Sequence, residues 1–306
     1  MSVFILQEIG AAVQGFAGHH ELLPFLPFCG YTQRMTIQEQ NEKAKCLRAD
    51  ILRMLFTSQS GHPGGSLSLV EILMSIYYNV AKIEPKNPAW EGRDRIVLSK
   101  GHAAPALYAV LADLGFFPRK DLWRLRKADS HLQGHPDKNK TPGIDASTGS
   151  LGQGAAIAGG MAMALKRKNN PARVFAIIGD GEIQEGIVWE AAMSAAHYKL
   201  DNLTVIMDHN GLQIDGSNDE VMNTGNVIDK YRSFGFECFS ADGHNIEEIV
   251  KILNTPVTEK PKFIDCKTSK GYGVSFMQNN YLWHGKAPNE ENYKKAIEEL
   301  GVSPND

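Results

Sequence analysis

Apolar positions along the chain follow two rhythms. From Thr36 to Phe56 they recur at helical spacing, ending in Ile51, Met54 and Leu55, which is the stripe an amphipathic helix presents to a core. Leu69 to Val80 and Pro105 to Leu114 read as further helices, the second stopped by Gly115. Ala155 to Lys168 reads as a helix of mostly small residues, and Gly186 to Tyr198 and 246–254 as amphipathic ones. The other rhythm is the short unbroken apolar run. Arg95 to Leu98 (RIVL), Arg173 to Ile178 (RVFAII), Leu203 to Met207 (LTVIM) and Pro261 to Cys266 read as strands, the RVFAII and LTVIM runs being of the kind that is buried on both faces. The stretch SQSGHPGGSLS (58–68) and residues 129–154, rich in Gly, Pro, Ser and His, read as loops.

Strand, helix, strand over 173–207 is a right-handed crossover between parallel strands. Its repetition along the chain predicts an α/β fold, a parallel sheet with helices on both faces. Ligands in such sheets sit at the carboxyl ends of the strands, where several of the loops above would converge.

Composition narrows the function classes. The chain has 306 residues, 42% of them hydrophobic, with 32 Lys and Arg against 35 Asp and Glu, a net charge of −3. This is a globular composition without the basic surplus of a nucleic-acid binder. No apolar run is long enough to span a membrane. The cysteines (Cys29, Cys46, Cys238, Cys266) share no ligand-like spacing, which points to reduced thiols in a cytoplasmic protein. The apolar stretch after Met1 contains Glu8 and lacks a basic flank, unlike a signal peptide. Residues 1–34 are expected to be a poorly ordered extension or the product of an upstream start, with the folded domain over 35–306.

The candidate chemistry lies at the strand ends. Gly179-Asp180-Gly181 follows one buried run and Asp208-His209-Asn210-Gly211-Leu212 the next. Asp180 and Asn210 thus occupy equivalent ends of two strands joined by one crossover, placed to share an ion. A carboxylate and an amide oxygen are hard donors that suit Mg²⁺ or Ca²⁺. The flanking glycines admit a bulky anion, and Gly149-Ser150-Leu151-Gly152-Gln153-Gly154 before a helix supplies free N–H groups for phosphate. Each element alone is commonly only a turn; their conjunction carries the inference.

GDG, 28 residues and then Asn is the thiamine-diphosphate signature, and the surrounding residues resemble transketolase. The matching segments are SGHPGGSLS, LSKGHA, GHPDKNKTPGIDASTGSLGQG, GDGEIQEG, DHNGLQIDG, KGYGVS and WHGKAP, spread from about residue 40 to about 290. The resemblance implies thiamine diphosphate held through Mg²⁺ (with Ca²⁺ or Mn²⁺ as substitutes). The ion would be bound by Asp180, Asn210 and the Leu212 carbonyl. Gly179 and Gly181 would line the diphosphate, Gly149 and Leu151 would lie against the cofactor, and Ile214 would pack near its thiazolium. Glu185, with Glu190, would join an acidic network between two cofactor sites; for both, the bland alternative is a solvated helix start.

Four histidines fall in the matching loops: His62, His102, His135 and His284. By the same resemblance His102 contacts diphosphate or donor, while His62, His135 and His284 bind donor hydroxyls and shuttle protons, as a group titrating near neutrality can. His244 reads as structural.

The resemblance covers only the first of three transketolase domains. It therefore implies the N-terminal subunit of a split enzyme, with a C-terminal subunit supplying the pyrimidine-binding domain in an α2β2 assembly. The implied reaction moves a two-carbon ketol unit from a ketose phosphate to an aldose phosphate, as in the pentose phosphate pathway. A sulfonated or branched sugar, or a non-catalytic cofactor-binding regulator, are the alternatives. A pyruvate-dehydrogenase-type α subunit would carry ENN in place of DHN and lacks the GHPGG and SKGHA loops, and a deoxyxylulose-phosphate synthase has a different histidine loop.

Overall fold

The computed structural model describes residues 35–302, so the expectation for residues 1–34 lies outside the described residues. Helix α1 (Ile37–Ser58) starts at a capping box. The Glu39 N–H donates to Thr36 Oγ1 at 3.2 Å and the Thr36 N–H to the Glu39 carboxylate at 2.7 Å, satisfying two donors that a helix start leaves open. The chain continues through α2 (Pro63–Leu67), α3 (Val70–Tyr77), strand β1 (Arg95–Leu98), α4 (Ala104–Asp113), α5 (Gln153–Arg167) and β2 (Val174–Gly179). It then forms α6 (Gly186–His197), β3 (Leu203–His209), α7 (Asn218–Val221), α8 (Val227–Phe234), β4 (Glu237–Asp242), α9 (Ile246–Asn254), β5 (Lys262–Lys267) and α10 (Glu290–Leu300).

The strands make one sheet in the order β1-β2-β3-β5-β4, every pair parallel. Period-two alternation sends its residues into two cores. Ile96, Leu98, Phe175, Ile177, Ile206 and Ile264 pack with α1, α3, α4, α9 and α10. Val97, Val174, Ala176, Ile178, Val205 and Phe263 pack with α5, α6 and α8. Both faces are covered, which is why β2 is buried throughout and its sequence shows no polar alternation.

The structure adds elements to those the sequence pattern predicts. Residues 58–68, expected as a loop, contain α2. Pro63 suits its first turn and all its residues are buried; packing retains a helix that its two glycines disfavour. Strand β4 escapes the pattern because it is an edge strand of mixed exposure, ECFSAD, without an apolar run. Helices α8 and α10 are also additions: each carries a narrow buried stripe, Val227 and Tyr231 in one and Ala296, Ile297 and Leu300 in the other, within an otherwise polar segment. No described helix is long and apolar enough to cross a membrane.

Candidate functional site

Gly179 at the end of β2 is paired with Asp208 of β3, and Asp208 with Cys266 of β5. Immediately beyond this row the chain leaves the sheet at Asp180 and Asn210, on the wall of a cleft of about 410 Å³.

The Asp180 carboxylate is 3% exposed. It accepts the N–H groups of Asn210 at 2.9 Å and Gly211 at 3.1 Å and the Asn218 side chain at 2.7 Å. Burial raises its pKa, and neighbouring His209 and the Asn218 bond offset only part of that. His209 Nε2 lies 3.7 Å from Asp180, while its Nδ1 meets Asp265 at 2.7 Å. Burial opposes charge on this ring, but the bond to Asp265 and the Asp180 carboxylate outweigh it and raise its pKa. Asn210 Oδ1 accepts the Leu212 N–H at 3.2 Å. Opposite stands Lys270, 2% exposed, with its ammonium 3.4 Å from the Leu212 carbonyl and 3.5 Å from that of Gln213. This wall therefore already accommodates positive charge. Burial and the nearby Lys100 push Lys270 down to about 8.

A buried glutamate organises the floor. Glu182 accepts the N–H of Gly152 at 2.8 Å and of Gly179 at 3.1 Å, and the Ser99 hydroxyl. It thereby ties the glycine loop to the ends of β1 and β2. Gly152 begins α5 in a left-handed conformation with no side-chain cap, so part of that helix start is left without side-chain partners. Gly149 has φ +139°, and a Cβ there would stand 2.8 Å from the His135 ring; both facts require glycine. Beneath, Lys100 pairs with the fully buried Asp208 and donates to the Gly65 carbonyl at 3.1 Å.

The histidines gather at one end of the cleft. His62 lies 5.3 Å from His102, 5.4 Å from His284 and 6.4 Å from His135, ring centre to ring centre, and His102 lies 5.2 Å from His284. Burial lowers all four pKa values. It is reinforced at His62, to about 4, by Arg126, His135 and Lys270, and at His284, to about 3, by Lys270, His62 and Lys100. His102 is lowered by burial and then Lys100, and His135 by burial and then Arg126. At neutral pH the cluster is a set of uncharged imidazoles. His62 Nδ1 is buried and makes no hydrogen bond among the described residues.

His62, His102, His284, Gly149, Leu151, Gly179, Asp180, Gly181, Glu185, Asn210, Leu212 and Ile214 thus all line the one cleft. His135 is outside the lining but packs on Gly149 beside it. Glu190 is an exposed residue of α6. His244 bonds Glu71 at 3.0 Å, accepts the Ser269 N–H at 2.9 Å and stacks on Tyr272, away from the cleft. Lys100, Lys270, Glu182 and Gln213 also line the cleft, although sequence reasoning misses them. Lys100, Glu182, Gln213 and Lys270 lie inside LSKGHA, GDGEIQEG, DHNGLQIDG and KGYGVS, so membership of those motifs is the available signal. Among the described residues no group of three or more His, Cys, Asp or Glu could by itself hold a metal.

The family described as "Transketolase, thiamine diphosphate binding domain" matches residues 39–306. The chain belongs to the transketolase family. It is 43% identical over 270 residues to the 6-deoxy-6-sulfo-D-fructose transketolase subunit SqwG of Clostridium sp. (strain MSTE9), covering 88% of this chain and 97% of that one. It is 39% identical to the A-type subunit of the apulose-4-phosphate transketolase of Actinobacillus succinogenes, covering 87% and 97%. Human transketolase is 38% identical over 86% of this chain but only 42% of its own length. The crystal structure of Campylobacter jejuni transketolase superimposes with a TM-score of 0.83 at 38% identity, over 89% of this chain and 44% of that one. The transketolase-family chain thus spans less than half of these single-chain enzymes and nearly all of the two subunits.

Proposed function

We propose that this chain is the N-terminal subunit of a two-chain transketolase, binding thiamine diphosphate through a divalent cation and moving a two-carbon ketol unit between sugars. The observation that supports it is the convergence in one cleft of Asp180, Asn210, the glycine loop and a cluster of uncharged histidines, in a chain of subunit length.

The residues present fit the cofactor. Asp180 is a buried carboxylate whose ion-pair neighbour among the described residues is the His209 ring at 3.7 Å, and the Leu212 carbonyl already faces an ammonium. The donors would be the Asp180 carboxylate, the Asn210 amide oxygen and the Leu212 carbonyl, hard ligands suited to Mg²⁺. Gly179 and Gly181 would line the diphosphate and Gly149 and Leu151 would lie against the cofactor, with the start of α5 and Lys270 supplying positive potential. Ile214 would pack near the thiazolium, and Glu185 would join an acidic network between two cofactor sites. When bound, thiamine diphosphate supplies the carbon nucleophile and electron sink of ketol transfer.

The protein's part is positioning and proton handling. An uncharged imidazole accepts the proton of the donor C3 hydroxyl as the C2–C3 bond breaks, and returns a proton to the acceptor in the reverse step. His62, with its unpartnered buried nitrogen, would do this together with its neighbours His284 and His135, and His102 would contact the diphosphate or the donor.

The partner would be a C-terminal subunit carrying the pyrimidine-binding domain, in an α2β2 complex in the cytoplasm. The two subunit-length relatives are named for a sulfosugar and for apulose 4-phosphate, which supports a second reading in which the donor is a modified ketose. Purification from native cells tests both. A complex of about four chains with a second protein, active on xylulose 5-phosphate or on a sulfonated or branched ketose, is expected. A fully active homodimer of this chain alone would refute the two-chain reading.

A further inference from the structure

Arg126 sits behind the histidine cluster in a backbone conformation that a non-glycine residue rarely adopts, with φ +62°. Its N–H donates to the Leu132 carbonyl at 2.9 Å, which fixes that conformation. The guanidinium reaches two loops. Nη1 donates to Ser60 Oγ at 3.2 Å, two residues before His62, and Nη2 to the Gly134 carbonyl at 3.4 Å, one residue before His135. The His135 loop is shaped around it: a Cβ on Gly134 would stand 2.8 Å from the guanidinium carbon, whereas at Gly61 in the other loop the close neighbour is Leu55. Among the described residues no carboxylate lies within ion-pair distance of Arg126, unlike Arg48, Arg93, Arg119 and Arg173.

We infer that Arg126 is a positioning residue: its guanidinium ties the loop of His62 to the loop of His135 and presents an unneutralised positive charge to both rings. An arginine is suited to this because its charge is permanent and its planar fork reaches two acceptors at once. The strained backbone is the conformation that lets one side chain serve both loops. The field also has a chemical use. A like charge beside an imidazole disfavours the imidazolium, so each ring keeps a lone pair for a hydroxyl proton. The other groups facing His62 are His135, Lys270, His102 and His284; His135 faces Arg126 and His62. Arg126 is the charged group that both share. The value of this arrangement to catalysis rests on the proton-handling role proposed above; the positioning itself does not.

The test is histidine NMR titration of the full chain, with resonances assigned by His62→Asn and His135→Asn. Arg126→Met should raise the midpoints of His62 and His135 by about 0.5 to 1 unit, with smaller changes at His102 and His284. Arg126→Lys keeps the charge and loses the fork. It should hold both midpoints while amide exchange accelerates in the loops around 60–62 and 134–135. Unmoved midpoints in Arg126→Met would overturn the field, and unchanged exchange in Arg126→Lys would overturn the tie. Should Arg126→Met fail to fold, the Lys variant alone still decides the tie, and Arg126→Gln the field. The complex with the partner subunit separates the two ideas. The acid limb of donor kcat/KM should follow the NMR midpoints; shifted midpoints with an unmoved acid limb would refute proton handling by these histidines and leave the positioning intact.

Discussion

Replacing Arg48 by Met should destabilise the fold in a pH-dependent way. Arg48 is nearly buried against Glu71, to which it donates at 2.7 Å, and it also donates to the carbonyls of Tyr272 at 2.9 Å and Leu67 at 3.2 Å. It thereby pins the segment carrying Lys270 and the helix that follows His62. Burial opposes charge on Glu71, but Arg48 and His244 outweigh it and hold the carboxyl below its ordinary range. Methionine keeps the apolar stem and removes the charge. Glu71 would then be stranded with His244 alone, whose Nε2 already accepts the Ser269 N–H, so its ring proton sits on Nδ1. The cheapest escape is for Glu71 to take up a proton. From an ordinary glutamate pKa of about 4.3, at about 1.4 kcal/mol per pH unit, this costs about 4 kcal/mol at pH 7 and about 1 kcal/mol at pH 5. The two orphaned carbonyls add about 2 kcal/mol at either pH. Urea unfolding of wild type and variant, compared at the same pH, should show a deficit of about 6 kcal/mol at pH 7 shrinking to about 3 kcal/mol at pH 5. The second change Glu71→Gln should recover most of the pH-dependent part. A deficit equal at both pH values, or no recovery when Glu71→Gln is added to Arg48→Met, would refute the reasoning.

Asp180→Ala should abolish Mg²⁺-dependent binding of thiamine diphosphate while leaving the far-UV spectrum unchanged; unaltered affinity by titration calorimetry would break the ligand assignment. Gly149→Val would place its Cβ against the His135 ring at a backbone angle that valine avoids, so cofactor affinity and thermal stability should both fall, the latter by about 1–3 kcal/mol. His62 and His284 bind fewer protons folded than unfolded between their lowered values, about 4 and about 3, and the ordinary 6.5. Stability should therefore rise with pH across that window and be lost as pH falls through it, and His62→Asn should flatten the slope of the urea midpoint between about pH 4.5 and 6.5.

The apolar runs at 174–178 and 203–207 determine by themselves that two adjacent parallel strands exist, because only a strand covered on both faces tolerates such a run. The crossover rule then places GDG and DHNG at one edge, and the glycine-flanked histidines mark loops that return to it. The family was legible for the same reason, since these motifs are local. Long-range packing decided the rest. The edge strand Glu237–Asp242 is half solvated and has no apolar run, and α2 is a helix only because neighbours bury it. Glu182, Lys100, Lys270 and Arg126 each look like ordinary charged residues in a string of letters. Their roles follow from distant partners, as with Lys100 and Asp208, 108 positions apart. A charge acquires meaning from what desolvates it and what faces it, and both are properties of the folded chain.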